Sequence, residues 1–308
     1  MPSISRGFQF LTQTAFLPKH ALMRQLALKA PRSATGRAPP IPPASMDKTH
    51  PTGEDAFAFV DTPTHTVLGV ADGVGGWAES GVDPADLSRS LMQHVEHWAK
   101  LSSKSPMGST TPNTITMDPT HLLSQAFGST CSSGQVQAGG TTACILSLCK
   151  ATGSLESANL GDSGFLIIRD GQRHFLSKAQ QHYFNCPYQL TILPYPISKK
   201  DQANMDHPGK ADRKDIQLEP GDLILLATDG FWDNVPEEET LDYLSQHSPS
   251  LGNLSTLANS LVKAASTHSQ NPRFLSPWAK GAREAGHRGV LGGKIDDITL
   301  QLVHVQRD

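Results

Sequence analysis

The sequence predicts an α+β fold in which antiparallel sheets are covered by helices. Short apolar runs recur at hairpin distances, and four segments carry apolar residues at helical spacing. The strands do not alternate one for one with helices, as a doubly wound parallel sheet requires. With 308 residues and 37% hydrophobic content, the chain can bury one large core. We therefore expect one folded domain over residues 47–308.

The first part of this domain reads as a hairpin followed by two helices. The runs Ala56–Val60 and Thr66–Ala71 flank a polar connection, as in a β-hairpin. Asp83 followed by Pro84 is a helix-start signal. The apolar residues that then recur at helical spacing are Leu87, Leu91, Val95 and Trp98. A second helix is predicted from Pro119 to about Phe127.

The second part predicts further hairpins, a central strand and two more helices. Glycine-containing turns at Gly153 and Gly171 separate short apolar runs. The predicted strands are 141–148, 155–159, 165–169, 173–176, 223–228 and 298–305, with 223–228 in a central position because it is almost entirely apolar. The predicted helices are 237–244 and 254–265, and residues 178–214 and 269–294 are expected to be irregular.

The N-terminal segment has the composition of a targeting signal. The first 46 residues contain six Lys and Arg residues and no Asp or Glu, which is typical of a mitochondrial transit peptide. An untargeted disordered tail is the alternative. Residues 38–43 are Pro-rich and read as a linker. We expect residues 1–46 to be disordered and the protein to be mitochondrial, in the matrix.

The charge balance excludes several classes of partner. The net charge is −3, and the chain beyond residue 46 retains 20 basic against 29 acidic residues. This is not the footprint of a nucleic-acid-binding protein, and there is no polybasic membrane patch. No apolar run approaches the roughly 20 residues of a membrane-spanning helix. Oligomeric state is not indicated by any pattern.

Four short acidic segments carry the functional signal. Asp72 and Asp229 end apolar runs and are each followed by glycine, whereas Glu54–Asp55 and Asp296–Asp297 directly precede strands. If these strand ends meet, the carboxylates repel one another unless cations join them. Mg²⁺ and Mn²⁺ prefer such oxygen ligands. Two such ions about 3.5–4 Å apart would also activate a bridging water for in-line attack on a phosphoryl group.

Five ordered motifs give the chain a family resemblance. They are Glu-Asp-Ala at 54–56, Val-Ala-Asp-Gly-Val-Gly-Gly-Trp at 70–77, Ala-Asn-Leu-Gly-Asp-Ser-Gly at 158–164, Ala-Thr-Asp-Gly-Phe-Trp-Asp-Asn at 227–234 and Asp-Asp-Ile-Thr at 296–299. Together they resemble the metal-dependent type 2C (PPM) Ser/Thr protein phosphatases, over residues 53–304. The segment Gln-Gln-His-Tyr-Phe-Asn at 180–185 resembles the mitochondrial PTC7-type branch.

The resemblance implies an αββα sandwich of two antiparallel sheets with two Mg²⁺ or Mn²⁺ ions, and a weaker third, at one edge. The implied metal ligands are Glu54, Asp55, Asp72, Gly73 (through its carbonyl), Asp162, Asp229 and Asp296. Asp72 would bridge both ions, and Asp55 would hold a coordinated water; with Asp229 they are the implied catalytic residues. Asp162 could instead be only a turn residue. Asp297 is expected to support the ligands, although exchange of roles with Asp296 stays open.

Two departures from the family pattern concern the substrate. Val74 stands where many relatives have a histidine, proposed as the general acid. No arginine lies between Arg37 and Arg89, which leaves Lys48 or His50 as candidates to bind phosphate. His182 invites a catalytic role, but a histidine in such a polar loop is more often structural.

The sequence therefore predicts a phosphatase acting on phosphoserine and phosphothreonine of mitochondrial proteins. A phosphatase-like binding or regulatory protein with little turnover is the alternative, and a phosphatase of small-molecule esters is a third possibility. No cysteine has an arginine six positions later, so a cysteine-based phosphatase loop is absent. Gly73–Gly76 is not followed by Gly-Lys-Ser/Thr, so it is not a nucleotide-binding loop.

Overall fold

The computed structural model describes residues 7–29, 51–103, 117–195, 205–247 and 252–307. They form two five-stranded antiparallel sheets that pack face to face, with helices on both outer faces. This is the αββα sandwich that the resemblance implied. The Pro-rich residues 38–43, with Lys48 and His50, lie outside the described residues.

The first sheet has the strand order β1-β14-β13-β7-β8. Its strands are β1 Phe8–Leu17, β7 Gly164–Arg169, β8 Gln172–Leu176, β13 Leu223–Ala227 and β14 Ile298–Arg307. The apolar strand β13 is central, as predicted, and is buried throughout.

The second sheet has the order β12-β6-β5-β3-β2. Its strands are β2 Asp55–Asp61, β3 His65–Asp72, β5 Ala143–Cys149, β6 Ser154–Leu160 and β12 Asp212–Gln217. Two short pairs complete the strands: β4 Gly139–Thr141 with β11 Leu190–Ile192, and β9 Gln181–Tyr183 with β10 Cys186–Pro187.

The helices cover the two outer faces of the sandwich. In chain order they are α1 Lys19–Lys29, α2 Pro84–Ser102, α3 Pro119–Ser133, α4 Asp229–Trp232, α5 Glu237–Gln246, α6 Leu254–Ser269 and α7 Pro277–Glu284. Helices α2 and α3 pack on the second sheet, and α6 packs on the first. The predicted cap of α2 is present, since Asp83 accepts a hydrogen bond from the Ala85 N–H at 3.0 Å. None of the described helices is both long and apolar enough to span a bilayer.

A strand in the N-terminal segment corrects the predicted domain boundary. Residues 8–17 pair with β14 along its whole length, from Phe8 opposite Arg307 to Leu17 opposite Ile298. Phe8 and Phe10 lie in the core between the two sheets. The expectation that residues 1–46 are disordered is therefore wrong for residues 8–29. The domain therefore starts before residue 47, because pairing with β14, almost 300 residues later in the chain, orders residues 8–17.

Two segments expected to be irregular contain regular structure. Residues 178–214 include β9, β10, β11 and the start of β12, and residues 269–294 include α7. β12 is a polar edge strand with exposed Arg213 and Lys214, so it shows no apolar alternation. Helix α7 starts at a Ser276 cap, where the hydroxyl accepts from the Ala279 N–H at 3.1 Å.

Candidate metal centre

The acidic residues from remote parts of the sequence meet where the two sheets end. Asp55 begins β2 and lies opposite Asp72, the last residue of β3. Asp229 follows β13 of the other sheet. The Thr228 hydroxyl donates to Asp55 Oδ2 at 2.9 Å and so joins the two sheets at this place. We call this cluster the acidic edge; its members are Glu54, Asp55, Asp72, Asp162, Asp229, Asp233, Asp296 and Asp297.

The glycines after Asp72 and Asp229 allow the backbone to pass close to its neighbours. A Cβ on Gly73 would lie 2.2 Å from the Pro84 carbonyl oxygen. A Cβ on Gly230 would lie 1.8 Å from the Asp297 carbonyl oxygen. Any larger residue would push apart the chain segments that carry the acids. The Asp-Gly pairs are therefore part of the packing of this edge.

Burial and mutual repulsion disfavour the charged forms of these acids. Burial, reinforced by the charges of Asp229 and Asp55, raises the pKa of Asp72 well above its ordinary value. Burial and the charge of Asp297 do the same to the pKa of Asp55. Burial and the charge of Asp229 raise the pKa of Asp162 to about 7. Negative charge is thus concentrated here beyond what the protein itself neutralises.

Two lysines reach into the acidic edge. The Lys19 ammonium, at the start of α1, contacts the Glu54 carboxylate and lies 3.9 Å from Asp297 Oδ2. The Lys294 ammonium contacts the Asp229 carboxylate and lies 2.9 Å from Asp233 Oδ2. Among the described residues, two ammonium groups face eight carboxyl groups, so this part of the cluster has room for additional positive charge.

The donor set fits hard divalent cations. Buried oxygens of three acids have no hydrogen-bond partner among the described residues: Asp55 Oδ1, Asp162 Oδ1 and Asp229 Oδ1. Unpaired carboxylate oxygens of this kind are the ligands that Mg²⁺ and Mn²⁺ take. Glu54, Asp229 and Asp296 lie within ion-pair distance of an ammonium group, and no three His, Cys, Asp or Glu residues in the described ranges share a metal-ligating geometry. A cation would therefore bind with adjustment of these side chains.

Asp296 and Asp297 have different surroundings. Asp297 Oδ1 accepts the Lys19 N–H at 2.6 Å, and Asp297 Oδ2 accepts the Glu54 N–H at 2.9 Å. Asp297 therefore ties the start of α1 to the start of β2, and its side chain is 1% exposed. Asp296 instead faces the Lys294 ammonium at 3.1 Å. This arrangement favours Asp296 as the ligand of the pair.

The structure thus brings together every side chain that the sequence nominated as a ligand, namely Glu54, Asp55, Asp72, Asp162, Asp229 and Asp296. Their individual ligand roles, and that of the Gly73 carbonyl, stay predictions. Lys48 and His50, nominated for phosphate, fall outside the described residues.

The histidine of the 180–185 segment has a structural environment. His182 Nε2 lies 2.8 Å from the buried carboxylate of Asp206, and its ring stacks on Tyr188. The neighbouring Gln181 amide donates to Asp162 Oδ2 at 3.0 Å. The segment therefore holds the loop beside the acidic edge, as the structural interpretation of His182 expected.

Sequence reasoning missed three residues of this site. Lys19 was counted with the basic residues of a targeting segment. In the structure it is the first residue of α1, which directly follows β1. Asp233 lies inside the motif at 227–234 and Lys294 lies two residues before the motif at 296–299, but the sequence prediction assigned only the acids at the strand ends to the site. Lys294 had a signal of its own, since a lysine two residues before Asp296 matches the charge of a buried acidic cluster, whereas Asp233 had none.

Comparison with known proteins assigns the chain to a protein family. The sequence profile described as Protein phosphatase 2C matches residues 47–264, and the chain belongs to this family. It therefore has the fold and activity of a metal-dependent Ser/Thr protein phosphatase.

Within the family, the similarity lies with the PTC7 homologues. The chain is 40% identical over 266 residues to Protein phosphatase PTC7 homolog fig of Drosophila willistoni, which covers 85% of this chain and 80% of the relative. It is 37% identical over 251 residues to Protein phosphatase PTC7 homolog of Homo sapiens, covering 81% and 78%. The X-ray structure of the photosystem II phosphatase PBCP superimposes with a TM-score of 0.71 at 29% identity, covering 96% of this chain and 98% of that one.

Proposed function

We propose that the protein dephosphorylates phosphoserine and phosphothreonine of mitochondrial proteins at the acidic edge. The observation that carries the proposal is the meeting of Asp55 and Asp72 from one sheet with Asp229 from the other. Three of the acids there have buried oxygens without a hydrogen-bond partner among the described residues, and such oxygens are the ligands that Mg²⁺ and Mn²⁺ take.

Two divalent cations, Mg²⁺ or Mn²⁺, are proposed to bind here, with a weaker third near Asp162. When bound, such ions supply an activated water and neutralise the charge of the phosphoryl group. Asp72, between Asp55 and Asp229, is proposed to serve both ions, with Glu54 on one side and Asp296 on the other. The Gly73 carbonyl is proposed as a further ligand.

Three residues around the acidic edge affect how its carboxylates are held and how the leaving group is protonated. Thr228 holds Asp55 by a hydrogen bond to Oδ2 and leaves Oδ1 free for the site. Asp297 fixes the backbone beside Glu54. Val74 has no proton to give, so we propose that a water protonates the leaving alkoxide or that the substrate carries a better leaving group. Slow turnover of poor leaving groups is the expected consequence.

The activity is tested by Mn²⁺-dependent release of phosphate from a phosphothreonine peptide. Asp72→Asn and Asp229→Asn are expected to lower turnover by at least about a hundredfold, because each removes a charged ligand. Asp61→Asn, at the far end of the same hairpin, is the matched control and should keep full activity. Full turnover by either ligand variant would refute the proposal. Faster hydrolysis of metabolite phosphates than of phosphopeptides would favour a small-molecule phosphatase.

The mitochondrial part of the proposal is supported by the acid-free composition of residues 1–46. Cleavage near residue 46 would remove β1 and Lys19 from the fold. We therefore expect the organellar form to retain Phe8 and the residues after it. N-terminal sequencing of protein purified from mitochondria tests this; an exclusively cytosolic protein would refute import.

A further inference from the structure

Lys294 has an unusual position, because its ammonium occupies the space between acids proposed to bind metal. Its Nζ contacts the Asp229 carboxylate and lies 2.9 Å from Asp233 Oδ2 and 3.1 Å from Asp296 Oδ2. Its side chain is only 20% exposed. Two of its three partners, Asp229 and Asp296, are proposed ligands, whereas Asp233 is not.

The backbone of Lys294 is held from both sides by one buried amide. Asn234 Oδ1 accepts the Lys294 N–H at 2.9 Å, and Asn234 Nδ2 donates to the Lys294 carbonyl at 2.8 Å. The same Nδ2 donates to the Gly230 carbonyl at 2.9 Å. Asn234 thus connects Lys294 directly to the turn that carries Asp229. The ammonium is positioned by the fold and does not belong to a freely moving surface side chain.

The residue before Lys294 has to be small for this arrangement. A Cβ on Gly293 would lie 2.2 Å from the His268 carbonyl oxygen and 2.7 Å from Asn234 Oδ1. The chain therefore passes tightly between the end of α6 and Asn234 just before it delivers Lys294 to the acids. A glycine at position 293 permits this close approach of the backbone.

The charge of Lys294 persists in this setting. Three carboxylates, those of Asp229, Asp233 and Asp296, lie within ion-pair distance of its Nζ, and opposite charges this close favour the ammonium form. The ammonium therefore supplies positive charge to acids that would otherwise repel one another.

We propose that Lys294 is a resident cation that competes with the divalent metal for Asp229 and Asp296, and so sets the metal concentration at which the enzyme becomes loaded. The inference rests on the metal site of the proposed function. A metal that takes Asp229 and Asp296 must displace the ammonium from both. Asp233 remains as its partner, so the displaced charge does not become unpaired. Without metal, the ammonium keeps the acidic edge together.

The test compares Mn²⁺ binding by calorimetry in wild-type protein and Lys294→Met, a change that removes the charge and keeps the length of the side chain. Both proteins are measured in the same buffer at pH 8. Lys294→Met is expected to bind Mn²⁺ about tenfold more tightly, which corresponds to about 1.4 kcal/mol. Its thermal midpoint in EDTA is expected to fall below that of the wild type, and saturating Mn²⁺ is expected to close most of the gap.

Two further variants control for folding and for net charge. Lys150→Met removes one positive charge from an ion pair with Asp61, distant from the acidic edge, and should leave the Mn²⁺ Kd within about twofold. Lys294→Arg keeps the charge and should hold the Kd near or above the wild-type value. If Lys294→Met does not fold in EDTA, the Kd is measured on protein refolded in Mn²⁺ by competition with a chelator of known affinity.

The outcomes separate this inference from the function on which it rests. Wild-type protein that binds Mn²⁺, with an equal or weaker affinity in Lys294→Met, would overturn the competition and leave the phosphatase assignment in place. Wild-type protein that binds no Mn²⁺ would overturn both. Tighter binding in Lys294→Met together with tighter binding in Lys150→Met would show a general charge effect and would also overturn the specific role of Lys294.

Discussion

The adjacent residues Asp296 and Asp297 have different roles in the site. Both residues immediately precede β14, and their carboxylates have different partners. Asp297 accepts two backbone N–H groups, from Lys19 and Glu54. Asp296 faces Lys294 and the acidic edge. The first is a structural residue, and the second is the candidate ligand.

This division predicts opposite effects of two matched substitutions. Asp297→Asn replaces one accepting oxygen by an NH₂ group and should destabilise the metal-free protein by about 1–3 kcal/mol, because a buried N–H loses its acceptor. Asp296→Asn should leave that stability unchanged or higher, since it removes a repelling charge, and should weaken Mn²⁺ binding at least about tenfold. Urea unfolding in EDTA and calorimetry with Mn²⁺ measure the two effects. The reverse pattern would show that Asp297 is the ligand.

At the scale of elements, strand β1 makes the N-terminal segment part of the catalytic domain. It covers the edge of β14 and contributes Phe8 and Phe10 to the core between the sheets. It also leads directly into α1, whose first residue is Lys19. Loss of β1 would therefore remove core packing together with the Lys19 ammonium, one of the two that the described part of the chain brings to the acidic edge.

Truncation of one side chain tests the packing of β1 without deleting the strand. Phe10 is 7% exposed, and Phe10→Ala should lower the free energy of unfolding by about 3–5 kcal/mol. Phe59, on β2, is 40% exposed, and Phe59→Ala should change the free energy by less than about 1 kcal/mol. Urea unfolding curves measure both. Equal stability of the two variants would mean that residues 8–17 do not pack in the core.

Elements with a local signal were predictable, whereas those defined by distant partners were not. The hairpin of β2 and β3, helix α2 and the central β13 follow from apolar periodicity and a helix cap. β1 was missed because its order comes from β14 at the other end of the chain. β12 was missed because an exposed edge strand carries no apolar alternation.

The site was predictable in its acids and not in its cations. A carboxylate at the end of an apolar strand is conspicuous, because burial of a charge is costly. The roles of Asp233, Lys19 and Lys294 are evident only when the fold brings these residues to the acidic edge. The sequence names Lys294 beside Asp296, but only the structure shows that Asn234 directs it towards Asp229.

At the scale of the whole molecule, the acidic edge makes stability depend on pH and metal together. The pKa values of Asp162 and Asp233 are about 7 and that of Asp297 is about 6, all above the ordinary value near 3.8. The folded protein thus holds protons that the unfolded chain has released. Stability in EDTA is therefore expected to fall as the pH rises from about 4 to about 7.5.

Thermal midpoints in EDTA and in saturating Mn²⁺ measure this linkage between pH 5 and 8. The increase in thermal midpoint caused by Mn²⁺ should become larger as the pH rises, because metal replaces protons on the acids. His65 and His304, whose pKa is lowered by burial, act in the opposite direction in both conditions, so their contribution cancels in the difference. If the increase in thermal midpoint caused by Mn²⁺ were the same at pH 8 as at pH 5, or smaller, the account would be contradicted.

The central claim is that acids from both sheets bind divalent metal at one edge of the sandwich. Anomalous diffraction from crystals soaked in Mn²⁺ tests it most directly. The account predicts two strong peaks in contact with Asp72, one shared with Glu54 and the other with Asp229 and Asp296. No anomalous density there at saturating Mn²⁺, with Lys294 still seated against Asp229, would contradict it.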